Sequence, residues 1–94
     1  MNNYMILFTY TQNGLSNLKD SPQRMKNAGL SVKDFGIELI GAYYTPNGSF
    51  DTVFLVKGTE ESVVKFALSI AGNGNVNAKV IRLFDLADFQ QLLT

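Results

Sequence analysis

Residues 37–57 read IELIGAYYTPNGSFDTVFLVK. The runs 37–45 and 51–57 are rich in β-branched and aromatic side chains, and each is the length of a strand rather than of a lone helix. Between them Pro46-Asn47-Gly48-Ser49 is turn chemistry, so the two strands pair antiparallel. Toward the N-terminus, Met25, Ala28, Val32 and Phe35 recur at spacings of three and four and draw one apolar helical stripe, which Gly36 ends. Ser21 or Asp20 is placed to cap that helix, with Pro22 at its first position. Before it, Leu15 and Leu18 suggest a short helical turn, and YMILFTY over 4–10 is another strand, bounded by Gln12-Asn13-Gly14.

Toward the C-terminus, Thr59 is the N-cap of a second helix, with Glu60 and Glu61 favourably set against its N-terminal dipole. Val63, Phe66, Ala67 and Ile70 form its buried stripe, and Gly72-Asn73-Gly74-Asn75 is a loop. VNAKVIRLF over 76–84 is the fourth strand, and the tail DLADFQQLL predicts a closing helical turn in which Leu86, Phe89 and Leu93 pack down. The order is βαββαβ in one α+β domain, residues 1–94. It is the ferredoxin-like arrangement, a four-stranded antiparallel sheet with both helices on one face.

In that arrangement a solvated second face would make every strand alternate apolar and polar. These strands do not. Tyr4, Ile6, Phe8 and Tyr10 oppose Met5, Leu7 and Thr9; Thr52, Phe54 and Val56 oppose Val53 and Leu55; Val80, Arg82 and Phe84 oppose Ile81 and Leu83. Burying about eight large side chains is worth on the order of 10 kcal/mol before association costs, so something must cover the second face. A second copy is the simplest cover, because two-fold symmetry makes a surface complementary to itself; the alternative is that the tail covers the face within one chain. The aromatic and polar set, Tyr4, Ile6, Phe8, Tyr10, Ile40, Tyr44, Phe54, Arg82 and Phe84, is expected at that interface, with Ile6, Phe8, Ile40, Phe54 and Phe84 as its apolar centre. A β-bulge near Gly41 would break this assignment for the second strand.

Composition removes several classes of function. Eight basic and eight acidic residues cancel, and no cluster of Lys or Arg exists to attract a polyanion, which argues against nucleic acid. There is no Cys and no His, which removes thiol chemistry and the commonest metal ligand and general base. The carboxylates are scattered without ligand spacing, so neither a metal nor another cofactor is expected. No apolar run approaches the roughly 20 residues of a membrane span, and the start lacks the basic segment of a secretory signal, which makes the cytoplasm the default compartment.

Several short motifs carry a resemblance in the right order along nearly the whole chain. Tyr4, Thr11-Gln12-Asn13-Gly14, Lys19-Asp20-Ser21-Pro22, Arg24, Gly36, Gly48-Ser49-Phe50-Asp51, Gly74-Asn75-Val76 and Arg82-Leu83-Phe84 resemble the GYD-domain family. The namesake Gly-Tyr-Asp stands here as Ser49-Phe50-Asp51, so the glycine and the phenol are absent and Asp51 remains. The resemblance implies the dimeric α+β barrel superfamily, which includes monooxygenases, isomerases and proteins without an assigned role. It brings no established activity with it.

The candidate ligand-binding residues are Tyr4, Tyr10, Arg24, Tyr44, Asp51 and Arg82. Asp51 can act as a general base or orient a ligand; equally it can accept backbone N–H groups in the turn or pair with Arg24. Arg82, a cation inside an apolar strand, can clamp an acidic ligand, pair across an interface, or lay its stem on apolar surface with its head in water. The tyrosines can line a pocket for a small aromatic or quinone-like molecule, or serve as core. The Gly72–Asn75 loop can present N–H groups to an anion or simply connect two elements. These residues support a homo-oligomeric module, binding a small organic ligand or serving assembly. The alternative is a cofactor-independent enzyme, monooxygenase- or isomerase-like, acting on a small aromatic or quinone-like substrate.

Overall fold

The computed structural model describes residues 1–94. Its strands are β1 (Asn2–Tyr10), β2 (Glu38–Tyr44), β3 (Thr52–Gly58) and β4 (Val76–Leu83), in the order β2-β3-β1-β4 with every neighbouring pair antiparallel. Its helices are α1 (Gln12–Ser16), α2 (Ser21–Ser31), α3 (Glu60–Ala71) and α4 (Leu86–Leu92). Two single turns of 3₁₀ helix, Leu18–Asp20 and Val32–Phe35, flank α2. This is the expected α+β, ferredoxin-like sheet with α2 and α3 on one face.

Local chemistry explains the boundaries. Thr59 accepts the Ser62 N–H at 3.2 Å and starts α3, with Glu60 and Glu61 in its first turn. Gly36, at φ 74, takes the left-handed conformation that ends the segment after α2. Neither expected cap of α2 forms: Asp20 makes no side-chain cap bond, and Ser21 is already helical, its hydroxyl engaged elsewhere. The hairpin carries a bulge, with Leu39 opposite Val56 and Gly41 opposite Leu55, so Ile40 is the extra residue and stays 54% exposed.

The core reverses the expected orientation of the sheet. Tyr4, Ile6 and Phe8 of β1 and Phe54 and Val56 of β3 lie in one cluster with Met25, Ala28 and Val32 from the α2 side and Val63, Phe66 and Ala67 from α3. Ile6, Phe8 and Phe54, read from sequence as interface residues, are 0% exposed and have no surface to offer a partner. The reason is volume. Beside the larger Met25 and Phe66 the helix stripes present Ala28, Ala67 and Val63, and the space over these small or slender residues takes the large rings of the strands. Phe8 meets Phe54 edge-on at 5.3 Å between centroids, and Phe54 stacks near Phe66 at 6.3 Å.

The outward face therefore carries the aliphatic set: Met5, Leu7, Val53, Leu55, Ile81 and Leu83 share it by register, with Tyr43 opposite Val53. Leu7 is buried at 6% exposure yet stands outside the main core cluster, as a residue at the centre of a second apolar surface should. Of the expected interface set's apolar centre, only Ile40 and Phe84 remain exposed.

The tail is helical, but it does not pack down. Leu86 is 92% exposed, and Phe89, Leu92 and Leu93 are all more than half exposed. The radius of gyration, 13.9 Å, exceeds the roughly 12 Å of a compact chain this long, in keeping with a projecting α4. No helix is long and apolar enough to cross a membrane.

Removing a ring from the aromatic trio should be costly. Phe54→Ala is expected to lower stability by about 3–5 kcal/mol, measured as a shift in the urea unfolding midpoint with an unchanged slope.

Candidate functional site

Three of the candidate ligand residues converge where β1 ends. Tyr10 closes β1, Tyr44 closes β2, and Asp51 immediately precedes β3. Asp51 extends the β1–β3 ladder by donating its N–H to the Phe8 carbonyl at 2.9 Å. Its Oδ2 accepts the Tyr10 N–H at 2.8 Å. The carboxylate thus satisfies a backbone N–H, as one reading of the sequence had it, but on the neighbouring strand instead of inside the turn. It does not pair with Arg24; the chain's one ion pair is the exposed Lys65–Glu61 at 3.1 Å. Oδ1 of Asp51 has no partner within the chain.

Ser21 joins the two tyrosines. At 2% exposure it is buried, and its hydroxyl contacts Tyr10 Oη at 2.6 Å and Tyr44 Oη at 3.1 Å. Three hydroxyls share two links, so one O–H proton is left to donate outward. The sequence presented Ser21 only as a helix cap, although its place in Lys19-Asp20-Ser21-Pro22 was visible. Tyr10, Tyr44, Ser21 and Asp51, with Leu15 and Leu18 among the apolar walls, line a depression of about 490 Å³. It is open to solvent in the single chain.

The other candidates lie elsewhere. Tyr4 is a core residue at the opposite end of β1. Arg82 is exposed and lays its guanidinium head over the Phe84 ring, 4.4 Å from the centroid, so head and ring, not stem alone, make the contact. Arg24 holds two carbonyls at the end of the α1 segment, donating from Nη1 to Asn17 O at 2.8 Å and from Nη2 to Gly14 O at 3.4 Å. The groups that ligate metals do not gather in threes anywhere in the chain.

A glycine fastens this end of the molecule. A Cβ on Gly14 would sit 2.0 Å from the Asn75 carbonyl oxygen, so only glycine permits the contact. Around it Thr11 N–H donates to Asn75 O at 3.0 Å, Thr11 Oγ1 to Gly74 O at 2.7 Å, and Asn13 Nδ2 to Asn75 Oδ1 at 3.0 Å. The Thr11–Gly14 turn is thereby docked on the loop before β4.

Sheet order, helix placement and these docked turns define a ferredoxin-like α+β domain. The chain belongs to the GYD domain family, whose profile matches residues 4–93. A relative in Thermus thermophilus, named glutamine synthetase and cystathionine beta-lyase binding protein, is 29% identical over 90 residues, covering 94% of each chain. Among solved structures, a homoserine dehydrogenase from Thiobacillus denitrificans superposes with a TM-score of 0.57 at 20% identity. The match covers 89% of this chain and 17% of that one, and it bears on the fold alone.

The hydroxyl chain has a measurable asymmetry. Ser21→Ala should cost about 1–2 kcal/mol, since it strips the half-buried Tyr10 hydroxyl of its partner. Tyr44→Phe, at an exposed ring, should cost no more than about 0.5 kcal/mol. Urea unfolding of the two variants beside the parent protein compares them directly.

Proposed function

We propose that this chain is a self-associating protein-binding module, its copies joined through the outward sheet face and α4. The carrying observation is α4, a two-turn helix whose Leu86 and Phe89, with Leu92 and the adjoining Leu93, lie mostly in solvent. A seven-residue helix has too few internal hydrogen bonds to persist in water unaided. Its apolar side chains need a surface to pack on, and α4 follows closely on β4 at the edge of the sheet.

Magnitudes favour both surfaces acting together. Burying four such side chains on each of two copies is worth on the order of 10 kcal/mol. The rigid-body cost of association is of the same size, about 4–15 kcal/mol. The aliphatic sheet face supplies the surplus, and a two-fold axis lets each copy use the same patch. The name of the Thermus thermophilus relative, a binding protein for two enzymes, supports extending the module's role to folded protein partners. A small organic ligand has a place in the same scheme, in the depression between Tyr10, Tyr44 and Asp51.

Light scattering is expected to give a mass of at least twice the 10.4 kDa of one chain. A Leu86→Asp/Phe89→Asp variant should fall to one chain and lose no more helical far-UV signal than α4 itself supplies, because neither residue belongs to the core. A parent protein that runs as a soluble single chain would overturn the reading. Sedimentation of the labelled chain with its host's glutamine synthetase tests the protein-binding half separately.

A further inference from the structure

The cavity between α2 and the end of α3 takes no part in that association, and its chemistry is different. It measures about 330 Å³ and draws its polar lining from Arg24, Asn27, Ser31, Ser69, Asn73 and Asn75. None of its ten lining residues is acidic. Arg24 has no carboxylate partner, and its buried Nε–H has no hydrogen-bond acceptor. A buried guanidinium N–H left unpaired is costly and rare in native proteins, and it calls for a missing acceptor. We infer that this cavity is a binding site for a small oxyanion, the carboxylate or phosphate group of a metabolite.

The donors are arranged for it. Nε and Nη2 form one edge of the guanidinium, the edge that grips a carboxylate or phosphate through two parallel bonds. Nε is buried without an acceptor in the chain, and the only hydrogen bond of Nη2 is the long 3.4 Å one to Gly14 O. Nη1, at 2.8 Å from Asn17 O, holds the side chain in place meanwhile. Two asparagines of the lining have donors to spare as well. Asn27 Oδ1 accepts from Gln23 Nε2, and Asn75 Oδ1 accepts from Asn13 Nδ2, both at 3.0 Å, so each carbonyl end is occupied and each amide N–H₂ is unpaired within the chain. Asn73 and Ser69 make no side-chain hydrogen bond at all. The glycine-asparagine loop that sequence alone left as connector or anion loop therefore contributes Asn73 and Asn75 to the same cavity as Arg24.

The site is built by one protomer, so its test is independent of self-association. The full-length ¹⁵N-labelled chain is titrated with sodium phosphate and, separately, sodium succinate, with succinamide and sodium chloride at matched ionic strength as controls. The expected result is a saturable shift of the Arg24 Nε–H and of the Asn73 and Asn75 side-chain amides with at least one oxyanion. The stronger of the two arms names the preferred group. Asn73→Asp places a carboxylate in the lining at an exposed position and should abolish the response. Arg24→Lys keeps the charge but loses the two-pronged edge and should weaken binding about tenfold or more, with its fold checked by circular dichroism. Absence of a saturable shift with either oxyanion would overturn the inference. So would an equal response to succinamide or chloride, or undiminished binding by Asn73→Asp.

Discussion

Phe8, Phe54 and Phe66 form the contact on which the rest of the molecule depends. Two of these rings stand on the central strands β1 and β3, and the third comes down from α3 between small neighbours. Once they are buried together, the alternation of the strands leaves no choice: Met5, Leu7, Val53, Leu55, Ile81 and Leu83 must face away from the helices. The apolar character of the outward face follows from the packing of the inward one.

The proposed sites lie at the two ends of the sheet. β1 and β4 run antiparallel, with Tyr10 opposite Val76 and Asn3 opposite Leu83, so the two ends of β4 lie at opposite ends of the domain. At one end the Thr11–Gly14 turn, docked on Asn75, stands between the tyrosine-lined depression and the Arg24 cavity. At the other end β4 runs out into α4. The proposed association through α4 and the outward face uses residues that line neither the tyrosine depression nor the Arg24 cavity.

The chain is a GYD domain over residues 4–93. Its namesake segment, here Ser49-Phe50-Asp51, is structural in one respect: Asp51 completes the hydrogen bonding of β1 through the Tyr10 N–H. Neither Ser49 nor Phe50 lines the nearby depression. The hydroxyls there come from Tyr10, Ser21 and Tyr44, three separate elements.

Local chemistry is legible in the chain itself. The 46–49 turn, the Thr59 cap, the Gly36 stop and the two helical stripes each depend on neighbours a few residues apart, and each appears where those residues place it. Even the surplus of apolar strand residues is visible there, and with it the need for a second cover. The orientation of the sheet is not, because a strand with two apolar faces has no polar phase to say which side is inward; only the fit of large rings to small helix residues settles it. The exposed α4 is equally hidden, since an apolar helical stripe reads the same whether it meets its own core or another surface. Ser21 between two phenols, and Arg24 beside Asn73 and Asn75, arise from residues brought together across 11 to 51 positions of chain. No local pattern encodes that proximity; the register of the strands and the docking of the Gly14 turn create it.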